Sequence, residues 1–194
     1  MGSSQADKAA SHERIVDAAG TQIRRGGVAS LNVANLMNDA GLTHGGFYRH
    51  FASRDALIAE AVEVALERGK YQTSKRAPLR PSATRSLHEV IDTYLSQEHR
   101  DDPGTGCAIA GLASDVARGG EDVRATYTTH VSGYLDQLRV ALQGRAGGAE
   151  DAPHLTLAAL VGALVLARAV SDPRLSDELL SHTARALHEL AARQ

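Results

Sequence analysis

Residues 41–51, GLTHGGFYRHF, constrain the fold of this chain more than any other stretch. Gly41 can take the left-handed conformation that ends a preceding helix, and Thr43 is placed to cap the next one with its hydroxyl. The helix that follows contains Gly45 and Gly46, each costing up to about 1 kcal/mol relative to alanine, so it persists only by docking on neighbours. Phe47 and Phe51 lie four apart on one face and can anchor it inward. That leaves His44, Gly45, Tyr48 and Arg49 outward, with His50 at the margin. Hydrogen-bond donors beside glycines that admit close backbone approach suit a phosphate-lined groove.

Helical periodicity extends through the rest of the chain. Ile15, Ala18, Ala19 and Gln22/Ile23 form a stripe between His12 and Arg25, ended by Gly26-Gly27. Asn32 is a good cap for a helix from Val33 to Ala40. Ser53 caps a longer run from Arg54 to about Tyr71, with Leu57, Ile58, Ala61, Val62, Ala65 and Leu66 as its buried face. Two prolines and many polar residues in 73–84 mark a boundary between a domain over 1–72 and another over 84–194. Beyond it, Leu87, Val90, Ile91, Tyr94 and Leu95 make a helical stripe, followed by a loop at 101–106. Helices are expected over Cys107–Arg118 and Val123–Leu142, and a flexible loop over 144–153. The segment from about His154 to Val170 is apolar almost all round, and the one from about Pro173 carries a narrower stripe of Leu175, Leu179, Ala186/Leu187 and Leu190. A helix apolar on two faces beside an amphipathic partner suits either a bundle dimer interface or an internal core.

Composition sets outer limits. The 194 residues are 43% hydrophobic and 23% charged, ordinary for a soluble globular protein. The longest unbroken apolar run, Leu157 to Ala167, is shorter than the roughly 20 residues a membrane span needs, and no signal peptide opens the chain. Membrane partners are therefore not expected. The single cysteine, Cys107, excludes an internal disulfide and fits a reducing cytoplasm. Net charge is −2, split as ten Lys or Arg against eight Asp or Glu over 1–76 and eleven against fifteen over 77–194. The asymmetry has the sign expected of an N-terminal DNA reader.

Three short helices, the third preceded by a glycine turn, form a helix-turn-helix arrangement. The run VANLMNDAGLTHGGFYRHFASRDALIAEAV, residues 33–62, with ERIVDAAGTQIRRGGVASLN upstream, resembles the signature of the TetR family of transcriptional regulators over roughly the first 70 residues. The resemblance implies an all-α dimer of about nine helices: an N-terminal three-helix helix-turn-helix domain and a C-terminal bundle for ligand binding and dimerisation through the last two helices. It also implies repression at a palindromic double-stranded operator, relieved by a small-molecule effector, with no cofactor and no catalysis. Carried over by position, Thr43, His44, Gly45, Gly46, Tyr48, Arg49 and His50 meet DNA. Asn32, Val33 and Arg54 meet backbone phosphates. Gly20 and Ile23 depart from the family pattern, where bulkier apolar residues are usual, and put stability in question.

Chemistry divides these roles. Thr43, Tyr48, His50 and Arg54 can each bond a phosphate oxygen, which fixes register without reading sequence. Base reading falls to His44 and Arg49, with arginine able to bond guanine O6 and N7. The competing readings are that Tyr48 and His50 are plain surface residues, that Arg49 pairs with Asp55, and that Arg54 is a solvated first-turn residue.

In the C-terminal half, Tyr94, Tyr127 and Tyr134, with Cys107 and His130, could line a pocket for a mostly apolar ligand, or be core. Cys107 opens a helix, where the dipole lowers a thiol's pKa; oxidant or electrophile sensing competes with a buried structural role. The nine histidines show no metal-ligand spacing, and no phosphate loop, nucleophile elbow or paired acid and base is evident. Outside a DNA-binding repressor, the alternative is a helical ligand-binding or interaction protein that no longer reads DNA.

Overall fold

The computed structural model describes residues 5–71, 86–142 and 151–192, and all regular structure among them is helical. The elements are α1 (Gln5–Gly26), a 3-10 turn (Val28–Ser30), α2 (Val33–Asp39), a 3-10 helix (His44–Arg49) and α3 (Arg54–Tyr71), then α4 (Leu87–Tyr94) and α5 (Gln97–Asp101). They continue with α6 (Ala108–Ala117), α7 (Glu121–Leu142), α8 (Ala152–Ala169) and α9 (Pro173–Ala192). The expected linker at 73–84 and residues 144–150 of the second loop lie outside the described residues.

Side-chain caps start most of the early helices. Asn32 Oδ1 accepts from Asn35 N at 3.0 Å, and Ser53 Oγ accepts from Ala56 N at 3.0 Å. Ser86 and Glu89 form a reciprocal capping box at α4. Glycines end α1 and α2: Gly27 at φ 75° and Gly41 at φ 71° supply the left-handed residue there. After Gly41, Leu42 N–H reaches back to Met37 O at 2.8 Å and closes α2.

Helices α1 and α3 pack against each other around Ile15, Ala19, Ile23, Leu57, Ala61 and Leu66, all 1% exposed or less. Gly20 is part of this seam. A Cβ there would lie 3.3 Å from Ala61 O, so the missing side chain lets the two backbones come close. The expected weakness of α1 at Gly20 and Ile23 is thus a close approach and a fully buried isoleucine. α1 also starts at Gln5, earlier than its apolar stripe, because its first two turns are largely exposed.

The α1–α3 unit rests on α6 and α7. Asp115, in the last turns of α6, accepts a hydrogen bond from Val28 N at 3.2 Å. The stripe Leu87 to Leu95 forms α4 with Leu95 as its last, capping residue, and Ser96 then caps a short further helix, α5, by accepting from His99 N at 3.2 Å. A local and two long-range bonds hold this corner: His99 Nδ1 lies 2.7 Å from Tyr94 O, and Arg168 of α8 donates to the carbonyls of His99 and Arg100.

α8 packs on α7 and α9. At eighteen residues the helix is long and apolar enough, by length and composition alone, to cross a membrane, a test that the core helix of a globular protein also passes. Thr156, Leu157, Leu160, Ala163, Leu164 and Ala167 are nevertheless buried against neighbouring helices, as in the core helix of a globular bundle. Its other face is open: Leu155 is 57% exposed and Leu166 53%, and Leu175 on α9 is exposed too.

Candidate nucleic-acid interface

The 3-10 helix His44–Arg49 is built on two aromatic anchors. Phe47 and Phe51 are 3% and 2% exposed, and their rings lie 5.4 Å apart. Burying each contributes about 1.5–3 kcal/mol, enough to offset two glycines in a six-residue element. His12 of α1 stacks on Phe51 at 4.5 Å, and its Nε2 meets Glu60 of α3 at 2.6 Å. The docked turn is therefore clamped from both long helices, and Tyr48 stands edge-on to Phe47 at 5.3 Å.

What projects outward is Tyr48, 72% exposed, together with exposed Arg49. Among the described residues Arg49 forms no ion pair, so the pairing with Asp55 is not made. His50 is half-buried; its Nδ1 is enclosed without a hydrogen-bond partner. Burial, and then the nearby positive charges of His12, Lys8 and Arg49, push its pKa below the ordinary histidine value. A Cβ at Gly45 would meet nothing within 4 Å, and one at Gly46 would make only ordinary contacts with Met37 and Thr43.

Thr43 stands otherwise than expected, Arg54 adds a role, and Asn32 caps as expected. Thr43 has the extended backbone of a cap, yet its hydroxyl makes no capping bond and is free to face outward. Arg54 Nη2 donates to Val28 O at 2.9 Å and Leu31 O at 3.4 Å, so part of the guanidinium braces the turn between α1 and α2. Asn32 uses its side-chain oxygen to cap α2, and Val33 is half-buried at that helix's first position. His44 opens the 3-10 helix.

The residues expected to line a ligand pocket lie where α4, α6 and α7 meet. Tyr94 is fully enclosed, and Cys107, His130 and Tyr134 are each 5% exposed. Tyr127 is half-buried and donates its hydroxyl hydrogen to Ile109 O at 2.8 Å. Cys107 does stand at the N-cap of α6, but burial pushes its thiol up, outweighing the opposing hydrogen bonds from the Ala110 and Ile109 amides. Enclosure thus wins over the helix terminus, against the lowering expected from sequence. Three cavities of 350 Å³ or more open elsewhere, and none of these five residues lines them. The largest of the three is walled by Arg24, Arg25, Arg100 and Arg168, which sequence spacing alone does not bring together.

Residues 15–61 match the family model for bacterial regulatory proteins of the tetR family. The chain superposes on a TetR-family transcriptional regulator from Agrobacterium tumefaciens with a TM-score of 0.74, at 23% identity over 95% of this chain and 100% of that one. A TetR transcriptional regulator from Chloroflexus aurantiacus J-10-FL gives a TM-score of 0.75 at 21% identity, over 95% of this chain and 98% of the other. A third, from Cytophaga hutchinsonii, gives 0.74 at 16% identity with both chains covered in full. Curated proteins give no match. The shared architecture extends from the helix-turn-helix through α9.

Proposed function

We propose that this chain, a TetR-family protein by its residues 15–61 and its fold, is a DNA-binding transcriptional repressor acting as a two-fold dimer. In this reading it occupies a palindromic operator and leaves it when a small molecule binds the C-terminal helices. The observation that carries the reading is the docked 3-10 helix, with Phe47 and Phe51 turned in and Tyr48 and Arg49 turned out. A protein with no DNA to meet gains nothing from exposing a tyrosine at 72% beside two glycines.

The roles follow from reach and chemistry. Thr43, Tyr48 and His50 bond phosphates, with Asn32, Val33 and the free part of Arg54 flanking them. Arg49 and His44 read base edges, and Gly45 and Gly46 let the backbone come close to the groove floor. The effector enters the interior around Tyr94, Cys107, Tyr127, His130 and Tyr134. Two-fold symmetry then sets the two reading helices about 34–36 Å apart, or a multiple, to match successive major grooves.

Fluorescence anisotropy with a duplex from beside the protein's own gene and with a random duplex tests this. Tyr48→Phe and His50→Ala each remove one phosphate bond and are expected to weaken both duplexes alike, by about 0.5–1.5 kcal/mol. Arg49→Ala is expected to relax specificity at one operator position. Equal affinity of the wild type and the Tyr48→Phe/His50→Ala double variant for every duplex at low salt would end the proposal.

A further inference from the structure

We propose that the cleft between the last turn of α1 and the corner joining α8 to α9 is a binding site for a small oxyanion, a molecule bearing phosphate or carboxylate groups. The cleft encloses about 630 Å³, and four arginines line it, Arg24, Arg25, Arg100 and Arg168, against one carboxylate, Asp101. Asp177 and Asp102 also reach Arg100 and Arg25, so four arginines meet three carboxylates, and the positive excess that remains inside a concave wall favours an entering anion.

The arginines are compensated unequally. Arg100 is neutralised, with Nε 2.7 Å from Asp101 Oδ1 and Nη1 2.6 Å from Asp177 Oδ1. Arg25 approaches Asp102 only to 3.8 Å and keeps 62% of its side chain exposed. Arg24 is 8% exposed and donates Nε–H to Gly104 O at 2.7 Å. Arg168 is the informative one. Its Nε and Nη2 donate to the carbonyls of Arg100 and His99, and among the described residues no carboxylate lies within 4.0 Å of its guanidinium. Carbonyls satisfy its hydrogens, and the negative charges of Asp102 and Asp101 act on it only from beyond 4.0 Å, so this partly buried guanidinium has no carboxylate in direct contact and can take a closer anion. A guanidinium's planar fork matches the paired oxygens of a carboxylate or phosphate.

The site joins parts far apart in sequence. Arg24 and Arg25 close α1, whose His12 stacks on Phe51 beside the docked turn, while Arg168 lies in the last turn of α8. An oxyanion held between them would tie the end of α1 to the C-terminal helices. Its binding does not depend on whether the reading turn meets DNA.

Isothermal titration of the full chain with inorganic pyrophosphate and with citrate, at matched ionic strength, tests the site. Saturable one-to-one binding of at least one is expected. Arg25→Glu, a mostly exposed position, is expected to weaken it about tenfold or more, and Arg168→Gln likewise. Arg174→Glu makes the same charge change on an 87% exposed side chain outside the cleft, and is expected to stay within about twofold of wild type. Binding of pyrophosphate alone assigns phosphate chemistry, and of citrate alone carboxylate chemistry. No saturable binding of either anion, or equal weakening by Arg174→Glu and Arg25→Glu, overturns the proposal.

Discussion

At the scale of single residues, the glycines of the reading turn separate what the fold requires from what a partner requires. Gly27 and Gly41 have positive φ, and Gly27 also has Asp115 Oδ2 3.0 Å from where a Cβ would stand, so the fold itself fixes both. Gly45 has neither constraint: its φ is not positive and nothing lies within 4 Å of its missing side chain. Within the subunit, alanine would fit and would favour helix by up to about 1 kcal/mol. Gly45→Ala is therefore expected to leave the melting temperature unchanged or raise it by about 2–4 °C, while weakening DNA binding where the methyl meets the groove. Thermal melts and anisotropy on the same preparation check it. Unaltered DNA affinity would show that nothing comes close to Gly45. This turn was legible in the sequence because its anchors and its outward donors are contiguous. Arg54 and Thr43 were less so, since bracing Val28 and Leu31, or failing to cap, depends on where distant backbone falls.

At the scale of elements, the caps at Asn32 and Ser53 and the glycine stops placed the starts of α2 and α3 and the ends of α1 and α2 within a residue of where they are observed, whereas α1 begins at least seven residues before its apolar stripe suggested. The corner between α4 and α5 was hidden, because Arg168, which helps to hold it, comes from a helix far along the chain. His99 is the centre of that knot. With its proton on Nδ1 it donates to Tyr94 O at 2.7 Å, while Nε2 accepts from Cys107 N–H at 3.0 Å. Burial is the main cause that pushes its pKa from 6.5 down to about 4, and the charge of Arg168 adds to it. The folded protein thus holds fewer protons on His99 than the unfolded chain between those values. Its stabilising contribution is full above about pH 6.5 and is lost as pH falls towards 4, amounting to on the order of 3 kcal/mol. His99→Gln removes this titration but keeps a donor and an acceptor. The variant is expected to be less stable at neutral pH and to lose less of its remaining stability on acidification. Denaturant melts from about pH 7 to about pH 4 check it; parallel slopes for the two proteins would assign the acid sensitivity to other groups.

At the scale of the whole molecule, the two surfaces that most concern function differ in how far sequence reveals them. The arginine cleft draws on positions 24, 25, 100 and 168, and no periodicity links them. The open face of α8 is the opposite case: a helix apolar almost all round announces that it covers more than one neighbour. One neighbour is internal. On the other side Leu155, Ala158, Gly162, Val165, Leu166 and Ala169 recur at three-and-four spacing, and a Cβ at Gly162 would meet nothing within 4 Å. Leu175 and half-buried Leu179 of α9, the helix packed against α8, add to the unburied apolar surface, and a second copy of the chain related by a two-fold axis is the proposed cover of this strip. Leu166→Glu tests that pairing cleanly, because the side chain is 53% exposed within the subunit and its replacement leaves the core intact. Buried between two copies, however, the new carboxylate would face its own symmetry mate in an apolar seam, at a cost of several kcal/mol. Sedimentation velocity at micromolar concentration is expected to give a dimer for the wild type and a monomer for Leu166→Glu, with unchanged helical circular dichroism. Operator affinity is expected to fall with the dimer, since one reading turn cannot span two half-sites. A wild type that sediments as a monomer, or a variant that stays dimeric, would move the interface off this face and leave the strip to another partner.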